Sequence, residues 1–592
     1  MPSYKAPLRD MQFVLFDVLK TQDAGNSLAA YAECTPDVVS AVLEEAGRFC
    51  ENVLQPINRI GDEEGCTFDA GTVRTPQGVK EAYAKFTEGG WSSLACDPEY
   101  GGQGLTTPVS FAFDEMLSSA NLSFGLFPLL TRGAYHALRA HASDKLKRTY
   151  LPNLVAGSWT GTMCLTEPQC GTDLGLIRTR AEPAADGSYA IHGTKIFISA
   201  GEHDLTENIV HLVLARLPDA PAGVRGISLF VCPKFLPTPD GKIGPRNALA
   251  CGALEKKMGI KASPTCVMNF DGAKAWLVGA PHKGLPAMFT MMNAARLAVG
   301  IQGLGVAEAA YQGSVSYARN RLQMRAATGA KFPDQPADPI IVHPDIRRML
   351  MKMKVMNEGC RALALWIGYE LDISISHPDA EKRAAAEDLV ALMTPIVKSM
   401  LTDQGFNAAN DGVQIHGGHG YIREWGMEQL IRDARITQIY EGTNGIQALD
   451  LVGRKLPTGS GRLARRFFHL VAAELERMSA NAEMLEFVAP LAKAFGRLQQ
   501  VTLWLAKTGI ANPDEAGAAA TEYLRMFGIV AIGYVWCRMT ETALGNKTDN
   551  FCMNKLASAK FYMAKILPET GSLLSSIMAG SAPVMALAED AF

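Results

Sequence analysis

The chain has 592 residues, 48% hydrophobic and 20% charged, with 57 Lys and Arg against 60 Asp and Glu and a formal net charge of -3. This composition excludes collagen-like, disordered and disulfide-scaffold classes, and it gives neither the basic footprint of a nucleic-acid binder nor a polybasic membrane anchor. The length predicts about three or four domains, each able to bury its own core.

The chain opens with an extension, residues 1–34, whose MPSYKAPLRD start puts Lys5, Arg9 and Asp10 where an export signal needs an apolar run. Twelve cysteines stand singly, without a C-x-x-C or a Cys/His group at zinc spacing, and read as reduced thiols of a cytoplasmic protein that holds no metal. Residues 35–158 read as all-helical. TPDVVSAVLEEAGRFCENVLQP starts with a Thr35 cap and Pro36 at the first helical position, and Pro56 is expected to stop it. Residues 159–285 change to short β-branched and aromatic runs, WTGTMCL, YAIHGTKIFIS, NIVHLVLA, GISLFVC and TCVMNF, divided by turn residues, which predicts a compact β domain.

Residues 286–455 return to helical periodicity over Ala287 to Arg325, His343 to Ser376 and Asp379 to Gly412, with a further helix after a loop ending near Asn444. Four long helices with short connections predict a four-helix bundle. KLPTGSGR, from Lys455, reads as a linker, and residues 456–592 as an appendage with three helical segments from Leu463 to Leu567. The apolar stretches Phe527 to Trp536 and Ser575 to Ala588 are too short or too broken to span a membrane. The predicted class is α+β multidomain.

GLGVAEAA at Gly303 superficially resembles a dinucleotide-binding turn, but Glu308 stands where that fingerprint needs Gly or Ala, and no strand precedes it. No nucleophile elbow, Walker loop or zinc-protease motif occurs. Three Gly-rich polar segments remain. MCLTEPQCGTDLG from Met163 offers hydroxyls and N–H groups to a polar ring edge, or is simply a Pro-Gly turn. DGVQIHGGHGY from Asp411 permits close backbone approach, or is a helix C-cap. RDARITQIYEGTNGIQ from Arg432 sets Glu441 in a loop, where a lone carboxylate is usually solvated.

In order and context these segments resemble the signatures of the acyl-CoA dehydrogenase family. T-E-P-x-x-G-[ST]-D is met at Thr166 to Asp173, K-x-[WF]-I-[ST] at Lys195 to Ser199, Q-I-x-G-G-x-G-Y at Gln414, and R-D-x-R-I-x-x-I-Y-E-G-T at Arg432. The resemblance covers about Thr35 to Lys455. YKAPLRDMQFVLFDVL and the helical tail resemble the long bacterial subgroup that includes 3-(methylthio)propionyl-CoA dehydrogenase and fatty acyl-CoA dehydrogenases.

The resemblance implies a helical N-terminal domain, a middle β-barrel and a four-helix bundle, with FAD held between barrel and bundle and across a subunit interface. Met163, Leu165 and Thr166 would line the flavin ring, met from the second barrel segment by Phe197 and Ser199. Gly171 and Thr172 would contact the substrate's pantetheine or the cofactor. Arg321 falls where the family binds the pyrophosphate of the neighbouring subunit's FAD, although R-x-x-F-G here continues as Arg321, Leu322, Gln323, Met324, Arg325. Gln414, Gly417 and Gly418 would wrap the diphosphate and Thr443 would touch FAD. Asn293 and Arg296 would hold pantetheine and the CoA end, with Tyr440 and Gly442 lining the acyl site.

The implied reaction desaturates a fatty acyl-CoA between C2 and C3, Glu441 taking the α proton and FAD the β hydride. Desolvation by Ile439, Tyr440 and the acyl chain would raise the basicity of Glu441. Some relatives carry the base one residue before an Arg on the first bundle helix. Here that residue is Ala295, before Arg296. Glu167 is expected to be structural, and His416 and His419 receive no chemistry. Electron-transfer flavoprotein as acceptor and a homodimer are implied by the same resemblance. Three alternatives stay open: 3-(methylthio)propionyl-CoA as the specific substrate, an oxidase that passes electrons to O2, and a catalytically idle CoA-binding relative.

Overall fold

The computed structural model describes residues 4–238 and 241–592. By contacts the chain divides into two compact units, Arg48–Leu105 with Ala120–Ala298, and Met1–Gly47 with Thr106–Ser119 and Val299–Phe592. The helix Thr107–His141 changes unit between Ser119 and Ala120, just before Asn121, whose extended backbone (φ -161°, ψ 92°) interrupts it and whose side chain accepts from Phe124 N–H to restart it.

The first unit is built on a barrel. Its strands are β3 (Trp159–Cys164), β4 (Arg180–Pro183), β5 (Tyr189–Ser199), β6 (Asn208–Arg216), β7 (Ile227–Pro233), β10 (Leu249–Leu254) and β11 (Thr265–Val278). Two short pairs accompany them: the hairpin β1 (Thr67–Asp69) and β2 (Thr72–Arg74), and the ribbon β8 (Phe235–Pro237) and β9 (Ile243–Arg246). Pairing runs β11-β5-β4-β6-β7 and back to β11, which closes the ring, while β3 and β10 extend it. The unbroken hydrophobicity of NIVHLVLA follows from this position, because β6 is buried on both faces. Val210, Leu212 and Leu214 pack with Tyr150, Leu151 and Leu154, whereas Val213 and Ala215 face Phe230, Met268 and Phe270.

Two histidines lie in this unit at 2% and 0% exposure. His203 shares a hydrogen bond with Thr160 Oγ1 at 2.9 Å, and His211 with Thr162 Oγ1 at 2.7 Å. Burial, then the Lys234 charge, pushes both imidazoles down to about 3. Unfolded imidazoles protonate near pH 6.5, so below that the unfolded chain gains protons that the folded barrel refuses. Stability is therefore expected to fall as pH drops from about 6.5 toward 3, by about 3 kcal/mol per histidine at pH 4.5. Urea unfolding of a His211→Gln variant should show a shallower loss between pH 7 and 4.5 than the native chain.

The long members of the bundle are the helices Gly284–Asn320, which belongs to the second unit from Val299 on, Pro344–Ser376 and Ala380–His416. Gly303 explains the spurious dinucleotide motif. It lies inside the first of these helices, and a Cβ there would stand 2.4 Å from Leu401 O, so its absence lets two helices touch. The apolar Phe527 to Trp536 stretch lies in the helix Pro513–Leu544 and is core. Trp536 Nε1–H donates to Val355 O at 3.1 Å, and Ile532 stands where a side chain on Gly359 would be.

Charge also ties this unit together. Arg361, 2% exposed, donates Nε–H to both carboxylate oxygens of Glu115 at 3.0 Å, Nη2–H to Glu308 Oε2 at 3.0 Å, and Nη1–H to Asp10. Lys555, equally buried, pairs with Asp10 and with Glu358, the latter at 2.8 Å. N-terminal extension, bundle and C-terminal helices thus share one ionic cluster.

The structure corrects several sequence expectations. Pro56 does not stop a helix: a π turn over Cys50–Leu54 leads into the helix Gln55–Glu64, where proline fits the first turn. The N-terminal region also contains the β1–β2 hairpin. The stretch read as a loop before Asn444 is largely the helix Met427–Thr437, which packs against the helix Ala380–His416, whereas the helix after it, Asn444–Asp450, has only seven residues. Beyond Lys455 there are five helices, Arg462–Ser479, Leu485–Ala511, Pro513–Leu544, Asn550–Phe561 and Glu569–Met578, rather than three.

Candidate active site

In the barrel unit the two motif segments are stitched to each other. Lys195, fully buried on β5, donates Nζ–H to Leu165 O at 2.9 Å and to Glu167 Oε1 at 2.8 Å. Ile196 N–H donates to Thr166 O at 2.9 Å. Glu167 also accepts from Arg178 N–H, Thr179 N–H, the Thr179 hydroxyl and Gln169 Nε2. Burial pulls this carboxyl upward, but the Lys195 charge and these donors hold it down at about 2. An ionised carboxylate so fully used is structural.

This stitching leaves Thr166 and Ser199 half-buried at one end of β3 and β5. Phe197 is 59% exposed at φ 58°, a conformation that a bulky side chain adopts only under constraint. Leu165 is buried in the helix-side core and Met163 packs against it. Gly171 and Thr172 are exposed in the loop after β3. Asn293 is exposed on the Gly284 helix, and its Oδ1 accepts from Arg296 Nη1 at 3.3 Å; Arg296 itself is only 7% exposed.

In the second unit Glu441 sits on a loop after the helix Met427–Thr437, at φ 57°. Gly442 follows at φ 84°, where a Cβ would strike Gln447 Nε2 at 2.5 Å, so only glycine fits. Gln447 Nε2 donates to the carbonyls of Glu441 and Gly442, both at 3.4 Å. Tyr440 donates its hydroxyl to Gln302 Oε1, and burial followed by the Glu441 charge pushes its phenol far up. Thr443 caps the helix Asn444–Asp450 by accepting from Ile446 N–H at 3.2 Å. Gln302 and Gln447 were invisible as site residues in sequence, because an amide inside a helical pattern looks like any other polar position.

The second glycine segment ends the helix Ala380–His416. Gln414, Gly417 and Gly418 are exposed, Gly417 has φ 59°, and a side chain at either glycine would meet open space. An aromatic group holds this turn. His416 stacks on Tyr317 with centroids 4.2 Å apart, His419 stacks on Trp425 at 4.8 Å, and the Tyr317 hydroxyl lies 3.0 Å from His419 Nδ1. Arg321 is exposed at the end of the Gly284–Asn320 helix. Its nearest partner is Gln323 Oε1 at 3.5 Å, and no carboxylate pairs with it among the described residues.

Among the described residues no group of three His, Cys, Asp or Glu side chains could hold a metal ion, and no helix is long and apolar enough to cross a membrane. The site offers hydroxyls, exposed glycine backbone, an arginine and the Glu441 carboxylate.

Four family models match in succession: the acyl-CoA dehydrogenase N-terminal domain at residues 37–158, middle domain at 162–273 and C-terminal domain at 282–456, then the acetyl-CoA dehydrogenase C-terminal-like model at 467–588. The chain is 45% identical over 581 residues to 3-methylmercaptopropionyl-CoA dehydrogenase of Ruegeria pomeroyi, covering 97% of this chain and 98% of that one. It is 31% identical over 618 residues to the broad-specificity linear acyl-CoA dehydrogenase FadE5 of Mycobacterium tuberculosis, covering 100% of both. Among solved structures it is similar to Caenorhabditis elegans ACDH-11 in complex with C11-CoA, with TM-score 0.78 and 21% identity over 95% of this chain and 92% of that one.

Proposed function

Because the chain belongs to the acyl-CoA dehydrogenase family, and so is a FAD-dependent oxidoreductase of CH–CH bonds in acyl-CoA thioesters, we propose that it places a trans double bond between C2 and C3 of 3-(methylthio)propionyl-CoA. The 45% identity across nearly the whole of both chains supports that substrate over a long fatty acyl-CoA. Glu441 is the proposed base, and the observation that carries this role is its constrained place, at φ 57°, on a loop where Tyr440 and Gln447 are held by hydrogen bonds of their own.

The residues present fit FAD. The open backbone at Gly417 and Gly418 and an arginine that, among the described residues, has no carboxylate partner suit a diphosphate held without metal, and exposed Phe197 with the Thr166 and Ser199 hydroxyls suits a flat ring with a polar edge. In the barrel unit Met163, Leu165, Thr166, Phe197 and Ser199 would hold the ring. In the other unit Arg321, Gln414, Gly417, Gly418 and Thr443 would bind the remainder. Bound FAD would supply the hydride acceptor, and electron-transfer flavoprotein, in place of O2, is the electron acceptor proposed here.

Glu441 removes the weakly acidic proton at C2, while its own N–H donates to the thioester oxygen as negative charge develops there. Asn293 and Arg296 are the proposed contacts for pantetheine and the CoA end, with Gly171, Thr172, Tyr440 and Gly442 lining the acyl path. A homodimer in the cytoplasm belongs to the same proposal. A second reading, linear saturated acyl-CoA, draws support from the full-length similarity to FadE5.

Steady-state assays with an artificial electron acceptor separate the two readings. The proposal expects kcat/KM for 3-(methylthio)propionyl-CoA at least about tenfold above those for butyryl-, octanoyl- and palmitoyl-CoA, the range one or two altered pocket contacts give. A clear preference for octanoyl- or palmitoyl-CoA would move the assignment to the second reading.

A further inference from the structure

One carboxylate closes the neck of the loop that carries Glu441. Asn444 N–H donates to Gln438 O at 3.0 Å, so residues 438–444 form a closed turn with Glu441 near its middle. Both ends also reach the helix Ala380–His416 through their side chains. Gln438 Nε2 donates to Asp403 Oδ1 at 2.7 Å, and Asn444 Nδ2 donates to the same oxygen at 2.7 Å.

Asn444 is gripped from its other side too. Its Oδ1 accepts from Lys398 Nζ at 2.8 Å, and its Nδ2 lies 3.0 Å from Thr402 Oγ1. Lys398 is 0% exposed. Burying an ammonium is costly, and a cation on the amide oxygen with a carboxylate on the amide nitrogen fixes which way Asn444 faces. A non-glycine residue persists at φ 57° only where its surroundings over-determine it, and this clasp does so for Glu441.

We propose that Asp403 and Lys398 are positioning residues for Glu441, drawing the two ends of its loop together so that the carboxylate meets the C2 proton in one geometry. The inference rests on the reading of Glu441 as the base. Asp403 acts through Gln438 and Asn444, and Lys398 through Asn444. Sequence signals for them are faint: a lysine and an aspartate five residues apart in TPIVKSMLTDQ.

The test compares full-length, FAD-loaded Asp403→Ala, Asp403→Asn, Lys398→Met and Glu441→Gln. The readouts are FAD per chain, kcat, KM, and exchange of the C2 hydrogens of acetyl-CoA with deuterium oxide followed by mass spectrometry. Acetyl-CoA has no C3, so exchange reports proton removal without hydride transfer. Asp403→Ala is expected to keep its FAD and to lose about tenfold to a hundredfold in both kcat and exchange, with KM moving less than about threefold. Lys398→Met should move the same way. Asp403→Asn, which keeps an acceptor oxygen, should recover most of the loss.

An FAD-loaded Asp403→Ala enzyme with native kcat and exchange would overturn the proposal. Equal losses in Asp403→Ala and Asp403→Asn, accompanied by lost FAD, would do so as well, since they would mark a merely structural role. If Asp403→Ala does not fold, Lys398→Met with the same two readouts decides. Native exchange by Glu441→Gln would remove the base reading itself, an outcome distinct from failure of the clasp.

Discussion

Glu441→Gln should purify yellow and FAD-loaded, yet reduce its flavin with a thioester substrate at least about a thousandfold more slowly than the native enzyme. Gln is isosteric with Glu and can sit on the same loop, held by Gln447, Tyr440 and the Asn444 to Gln438 closure, none of which uses the Glu441 carboxylate. What Gln lacks is a site for the departing proton. General-base catalysis contributes about 10² to 10⁴-fold, and with no second carboxylate at the other family position, Ala295, the loss should lie toward the upper part of that range. Rapid-mixing measurement of the flavin absorbance decay checks this. Native decay in the variant would assign the base elsewhere.

Arg361→Leu should produce the largest loss of stability. Among the described residues Arg361 pairs with both Glu115 and Glu308, and it shares Asp10 with Lys555. Removing one partner of a buried ion pair costs about 3–5 kcal/mol, because the carboxylates stay behind without compensation. A cavity of about 350 Å³ beside the cluster, lined among others by Arg9, Tyr311 and Asn357, offers partial hydration and places the expectation near the lower figure. For a unit of this size that corresponds to a thermal midpoint lowered by about 5 °C.

The loss should depend on pH in a defined direction. Burial pushes the Glu115 carboxyl up to about 7 even with Arg361 opposing it, so in the variant it rises further. A folded-state pKa above the unfolded value means that the folded state takes up the proton more readily, and stability falls as pH rises. The Arg361→Leu penalty is therefore expected to shrink at pH 6 and to grow at pH 8.5, as read by calorimetry. A penalty independent of pH would place the destabilisation in packing.

The fold was legible in sequence where local chemistry decided it. The five main barrel strands stand where β-branched runs placed them: β6 and β7 are buried on both faces and had to be continuously apolar, whereas β5 and β11 are only partly buried and keep β-branched residues among polar ones. The short strands β4, β8, β9 and β10 were missed, since three to six residues with scattered burial carry no period. Pro56 misled because proline halts a helix only in its interior, and here a π turn places it in a first turn. The helix Met427–Thr437 was masked by its own motif, whose charged face reads as a loop when Glu428 and Arg432 are not seen to pair along it.

The candidate site was legible as three motifs, since Gly417, Gly442 and Glu441 are required by backbone conformation and chemistry that short windows record. What lay outside reach was support from distant residues. Lys195 reaching back to Leu165 and Glu167, and Asp403 joining Gln438 to Asn444, are contacts across about 30 residues or more, which no local pattern encodes.

The most direct test of the central claim is an anaerobic titration of the purified, FAD-loaded protein with 3-(methylthio)propionyl-CoA, following oxidised-flavin absorbance. The account predicts progressive bleaching and formation of the 2,3-unsaturated thioester. An FAD-loaded protein that stays fully oxidised with this thioester and with butyryl-, octanoyl- and palmitoyl-CoA would contradict it.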